Sequence, residues 1–251
     1  MNAPAPRGSN ARAREARLSS AFLLHSYPFR ETSLIVEMFT QSHGRLGLLA
    51  KGARRPKSQL RGQLMAFQPM VTTWSGKSEL KTLHSVEWEA GHLQLTGVQL
   101  MCGFYLNELL LKLLQREDPH EGLYRVYAQT VEQLREGAPA AKCLRRFERE
   151  LLRELGYALQ LESDVAGDSI RAAARYDFQI ERGPSIMSSD TEAQGMVVQG
   201  ATLLALAADG FAAGDETVEQ EARTLMRHAL SHYLNGQELR TRQLLRELQE
   251  L

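Results

Sequence analysis

The feature that most constrains this chain is a change of hydrophobic period near residue 91. Between residues 18 and 88 apolar side chains come in short β-branched or alternating runs separated by turn residues. The runs are 21–27 (AFLLHSY), 33–40 (SLIVEMFT, with Glu37 on one face), 45–50, 64–74 and 79–86, and each predicts a strand. Five short strands in about 70 residues predict a small barrel, and among such barrels the OB-fold is a frequent host for nucleic acid, although a fold alone does not fix function. Past Gly91 the period becomes 3.6. Residues 98–115 are apolar almost all round, which marks a buried helix. Further helices are predicted over 123–136, 140–155, 195–208, 217–234 and 238–248. Residues 161–190, rich in Gly, Ser and Asp, predict a loop-rich insertion with one strand pair around 176–181 and a turn at Arg182-Gly183-Pro184. The expected fold is α+β. A flexible basic arm occupies 1–17, a five-stranded OB-fold barrel 18–90, and an all-helical domain 91–251 with an irregular insertion at 157–193.

Charge divides along the same line. The formal net charge is zero, but residues 1–90 carry 13 Lys/Arg against 6 Asp/Glu and residues 91–251 carry 17 against 24. Such polarity indicates that the first part meets a polyanion. Its concentrated form is GRLGLLAKGARRPKSQLRGQLMAFQP, residues 44–69, where Arg45, Lys51, Arg54, Arg55, Lys57 and Arg61 fall within 17 residues with no acid among them. Gly52 and Pro56 break the run, so these cations are expected on a loop between the apolar runs GLLA and LMAF, both read as strands. A basic loop of this kind is either a nucleic-acid surface or a solvated solubility feature, and the run alone does not choose.

Catalytic constellations are missing. Ser75-Gly76-Lys77-Ser78 ends like a phosphate loop, but the first glycine of that motif would fall at Val71. No GxSxG occurs, and Ala229 after His228 rules out HExxH with His232. Glu148 and Glu150 sit among arginines and read as ion-pair partners. No catalytic residue, metal site or cofactor is expected. Cys102 and Cys143, both in helical patterns, predict no disulfide framework and a reducing, cytoplasmic setting. There is neither a signal-peptide pattern nor an apolar run of about 18 residues, so no membrane role is expected. Phe67, Trp74 and Trp88 could stack on bases, although in a small barrel an aromatic is more often core.

Several stretches together carry a family likeness: ETSLIVEMFT (31–40), GRLGLLAKGARRPKSQLRGQLMAFQPM (44–70), GKSELKTLHSVE (76–87), FYLNELLLKLL (104–114), LRRFERELLRELGY (144–157) and HALSHYLNGQELRTRQLL (228–245). On these the chain resembles the RecO family of bacterial recombination mediators and DNA-annealing proteins. The resemblance implies an N-terminal OB-fold, a helical C-terminal domain and no active site. It implies binding of single- and double-stranded DNA, annealing of complementary strands and, with RecR, loading of RecA onto DNA coated by single-strand-binding protein (SSB). The implied partners are DNA, RecR, the acidic C-terminal tail of SSB and, in some organisms, RecF, all at the nucleoid. Many members carry a four-cysteine zinc module where YDFQIERGP stands here, yet residues 156–251 contain no Cys. On this reading Arg45, Lys51, Arg54, Arg55, Lys57 and Arg61 bind DNA. Arg145, Arg146, Phe147 and Leu151, cations beside apolar side chains on one predicted helix, either contribute to the SSB-tail site or are a core face, Phe147 and Leu151, with solvated arginines beside it. The alternative is an RNA-binding or ribosome-associated OB-fold protein.

Overall fold

The computed structural model describes residues 17–89, 93–188, 192–208 and 215–249, with side chains through Leu244. All but Arg17 of the predicted basic arm, and the predicted boundary at 90 and 91, lie outside the described residues.

Five strands close into a barrel in the order β1-β2-β3-β5-β4: β1 (Arg17–Phe29), β2 (Ser33–Thr40), β3 (Gly44–Ala50), β4 (Met70–Ser75) and β5 (Leu80–Trp88). Every pairing is antiparallel except β3 with β5. A single-turn helix, α1 (Gln59–Gln63), bridges β3 and β4. This is the OB-fold arrangement the sequence predicts. One predicted strand is corrected: residues 64–69 make only an isolated parallel bridge, Ala66 to Leu23 of β1, and β4 starts at Met70. Leu64 packs toward the barrel interior while Phe67, with φ at 63°, turns into a different core, and Pro69 has no N–H to give a ladder. An apolar run whose members serve two cores cannot keep a strand's period.

The same division explains why β1 reads as an unbroken AFLL. Ala21 and Leu23, with Val36, Met38, Leu46, Leu48, Met70 and Trp74, fill the barrel. Phe22 and Leu24 alternate outward and, with Phe39 and Phe67, join the core of the helical part. The Phe22 ring lies 5.0 Å edge-on from Tyr127, and Phe39 is 5.5 Å from Tyr124.

The helices are α2 (Gly97–Leu113), α3 (Glu121–Arg135), α4 (Ala140–Glu154), α5 (Gly200–Ala207), α6 (Glu216–Tyr233) and α7 (Arg240–Gln249). Buried Asn107 on α2 shows why a polar residue sits in an apolar helix. Its amide donates to the Leu24 carbonyl of β1 at 2.9 Å, and its oxygen accepts from the Tyr127 hydroxyl at 2.6 Å. Cys102 and Cys143 are free and buried, and burial pushes both thiols up.

The insertion is a three-stranded antiparallel sheet ordered β7-β6-β8, from β6 (Arg175–Gln179), β7 (Gly183–Ile186) and β8 (Met196–Gln199). Its third strand corrects the predicted helix start at 195, since MVVQ pairs with β6 before α5 begins at Gly200. The loop into β8 is held by Asp177 of β6, whose carboxylate accepts from the Gly195 amide at 2.6 Å, the Gln194 amide at 3.2 Å and the Gln179 side chain at 3.1 Å.

Candidate nucleic-acid interface

The segment after β3 is a chain of tight turns rather than a loose loop. Gly52 supplies the left-handed residue, φ 69°, that reverses the chain at the barrel end. Backbone bonds run from Arg55 to the Gly52 carbonyl and from Ser58 to the Arg55 carbonyl, each at 3.0 Å. Ala53 is buried in the barrel core, and Leu60 and Leu64 pack against it. The turns are also tied to the β1–β2 hairpin: the Arg54 amide donates to the Thr32 carbonyl at 2.8 Å, and the Gly52 amide to the Ser33 hydroxyl at 3.3 Å.

With the small side chains turned in, the long ones are turned out. Lys51, Arg54, Arg55 and Lys57 on the turns and Arg61 on α1 are all exposed, and among the described residues none of the five forms an ion pair. The carboxylates that bracket the run in sequence are occupied elsewhere. Glu37, only 3% exposed, is bonded by Arg45 and by Arg116 of the α2–α3 connection, and Glu79 is bonded by Arg116 too. Glu31, exposed at the hairpin tip, is a carboxylate that opposes the field of the turns.

Arg45 is separated from the group. It is the second residue of β3, so it stands roughly 20 Å along the strand from Lys51 at about 3.3 Å per residue. Its side chain is 15% exposed, donates to Glu37 Oε2 at 2.9 Å, and donates through Nε and Nη2 to the Leu114 carbonyl at 3.2 and 3.0 Å. It fastens the barrel to the end of α2. One cation joins the group unforeseen: Arg30, at the hairpin tip, accepts from Arg54 Nη1 through its carbonyl at 3.4 Å. The signal for it was available, because in an antiparallel meander the β1–β2 turn and the end of β3 share one edge.

The aromatics divide as follows. Trp74 and Phe67 are core. Trp88 is half-exposed, and its indole donates to the Gln63 carbonyl of α1 at 2.8 Å.

The four residues expected to form a tail site do not share a surface. Phe147 and Leu151 are fully buried, and Arg145 donates at 2.6 Å to Glu148, itself fully buried. The amphipathic stripe that looked like a groove is the face α4 gives to the core. Arg146 alone faces outward, at the wall of a cleft of about 360 Å³ between α3 and α4 lined by Gln133, Ala138, Pro139, Lys142 and Cys143. His228 is exposed, and His232 bonds Glu181 at 3.1 Å; among the described residues no group of three His, Cys, Asp or Glu could hold a metal. Nor, among those residues, is any helix long and apolar enough to cross a membrane.

Comparison with known proteins agrees with this architecture. Residues 17–92 match the family model described as Recombination protein O N terminal, and residues 80–243 the one described as Recombination protein O C terminal. The chain is 50% identical to the DNA repair protein RecO of Nitrosospira multiformis over 232 residues, 92% of this chain and 95% of that protein. It is 48% identical to the protein of the same name from Paraburkholderia xenovorans over 250 residues, 99% of this chain and 83% of that one. With both family models matched in chain order and about half of the aligned residues identical to those of proteins so named, this chain belongs to the RecO family.

Proposed function

We propose that this protein acts in DNA repair as a non-catalytic mediator of recombination. In this reading it binds single- and double-stranded DNA, anneals complementary strands and, with RecR, helps load RecA onto SSB-coated single strands, with RecF a further partner in some organisms. Its place of work is the cytoplasm, at the nucleoid. The observation that carries the reading is the cluster of Lys51, Arg54, Arg55, Lys57 and Arg61, exposed, without ion pairs among the described residues and held by backbone bonds against a rigid barrel end. Annealing asks for a surface that neutralises two phosphate backbones while leaving base edges free to pair. Long cationic side chains on a fixed turn meet that need, because each phosphate contact releases counterions and reads no sequence.

The test is the salt dependence of binding. If about four of these cations meet single-strand phosphates, log affinity falls with log salt at a slope near −3, each contact contributing roughly −0.7. Arg54→Ala with Arg55→Ala and Lys57→Ala is expected to flatten the slope by about two units, to weaken unrelated sequences alike and to slow annealing, with the melting temperature nearly unchanged. A wild-type slope in the triple variant would refute the patch, and stronger binding of matched RNA than of DNA would favour an RNA-binding protein.

For the acidic SSB tail, the cleft walled by Lys142 and Arg146 offers cations beside Ala138, Pro139 and Cys143. Lys142→Glu is expected to weaken tail-peptide binding at least fivefold in a folded protein, and unchanged affinity would exclude the cleft.

A further inference from the structure

We infer that the outward face of β1 beyond its bulge, carrying His25, Tyr27 and Phe29, is a stacking platform for the bases of a single strand. The phosphates of that strand lie along Arg30, Lys51, Arg54 and Arg55. The inference rests on the DNA-binding reading and adds the residues that meet the bases.

The geometry begins with the bulge. Leu23 pairs with Met38 and His25 with Glu37, so Leu24 is an extra residue in β1. Leu24 follows Phe22 into the helical core, and the alternation restarts from His25. Ser26 is opposite Val36, which points into the barrel, so His25, Tyr27 and Phe29 project outward. Their cross-strand neighbours on that face are Glu37, Ile35 and Ser33, and Leu49 of β3 continues it beside Ile35.

Coverage by the helical part stops at the Glu37 row, where Arg116 lies over Gly47 and bonds Glu37. Beyond that row the face is open among the described residues. His25 is exposed, Tyr27 is 46% exposed, and Ile35 and Leu49 are half-buried. The His25 and Tyr27 rings pack edge to face at 4.5 Å and 64°, which holds the tyrosine ring in place without covering it. An exposed aromatic row on a pleated surface is the arrangement that single-strand binders use, since every base has a π face.

Charge identifies the occupant. The Arg30 guanidinium lies 5.3 Å from the centre of the Phe29 ring, and the Arg30 and Thr32 carbonyls both accept from Arg54. The aromatic row therefore runs into the cationic turns, with Glu31 the one carboxylate at that tip. A strand laid along the row keeps its phosphates on the cations and its base faces on the rings. The pairing edges point away, so stacking here is compatible with annealing.

Equilibrium binding of a fluorescein-labelled mixed-sequence 20-mer, single-stranded or duplex, tests the inference in the full-length protein. Tyr27→Ala is expected to lose about tenfold in single-strand affinity, the yield of one stacked base, with the salt slope unchanged. Tyr27→Phe restores the affinity, duplex affinity stays within twofold, and the melting temperature does not move. Wild-type single-strand affinity in Tyr27→Ala would overturn the platform, whether the face is then bare or taken by an added peptide strand. So would an equal loss on duplex, where bases are already stacked. The wild-type protein and the Arg54, Arg55, Lys57 triple variant separate the two failures: if the triple variant loses binding while Tyr27→Ala does not, only the platform is wrong, and if the wild-type protein itself binds neither the single strand nor the duplex, the DNA reading fails.

Discussion

Asp177 is the side chain that gathers the approach to β8 in the small sheet. One carboxylate gathers two backbone amides, those of Gln194 and Gly195, and a side-chain amide, and so holds the residues that lead into β8. Burial pushes its carboxyl up, but donation from Gln179, Gly195 and Gln194, with Arg182 nearby, outweighs this and holds it below the usual carboxylate range. A depressed folded value means the stabilisation is fully present above the unfolded pKa of about 3.9 and is lost as pH falls through the folded value. Asp177→Asn is therefore expected to lower stability at pH 7 by about 1–3 kcal/mol. Calorimetry between pH 7 and pH 3 should show the gap between the two proteins holding until about pH 4 and closing below it. A gap that widens in acid would contradict this account. The same residue shows what a sequence withholds: DFQ predicts a strand, not that its aspartate meets a loop 17 positions on. Arg45 teaches the converse, since its type fitted the basic run while its partners, Glu37 and the Leu114 carbonyl, lay beyond any local pattern.

Among the elements, α7 depends most on a side chain from elsewhere. Its first amides, those of Arg240 and Thr241, donate to the carboxylate of Glu108 on α2 at 2.8 and 2.9 Å, and the Thr241 hydroxyl donates to it at 2.7 Å. The cap thus comes from the helix that α7 packs on, and docking and capping are one event. Glu108→Ala is expected to cost about 1–2 kcal/mol, chiefly as faster hydrogen exchange of the α7 amides, with barrel amides unchanged. Uniform deprotection would show that α7 does not open by itself. The periodic elements were legible to within a few residues: β2 as predicted, and α2, α3, α4 and α6 nearly so. What failed were short segments with divided loyalties. LMAF sends Leu64 and Phe67 to different cores, and MVVQ reads as the start of α5 until β6 is there to pair with it.

For the whole molecule the decisive fact is that the barrel is not packed on itself alone. Phe22, Leu24, Phe39 and Phe67 leave it for the helical core, Asn107 bonds its backbone from α2, and Lys81 and Glu117 pair across the same boundary. Gly44 shows how close the two parts come: at φ 66° it admits no side chain comfortably, and a Cβ there would run into the Asp118 carbonyl. Such a junction predicts one cooperative unit, although the change of period reads as two domains. Nature supplies the probes. Both tryptophans, Trp74 and Trp88, are in barrel strands, so fluorescence follows the barrel, whereas ellipticity at the helical wavelength follows the rest. The two melting curves should coincide. Phe39→Ala removes a fully buried ring that touches Tyr124 and Tyr127 from the barrel side, at a cost of about 3–5 kcal/mol. At about 2–4 °C per kcal/mol for a chain of this size, both curves should move down together by roughly 6–20 °C. If fluorescence shifts while ellipticity stays, the barrel melts on its own, and a basic turn mounted on it could lose its footing without the helices registering the loss.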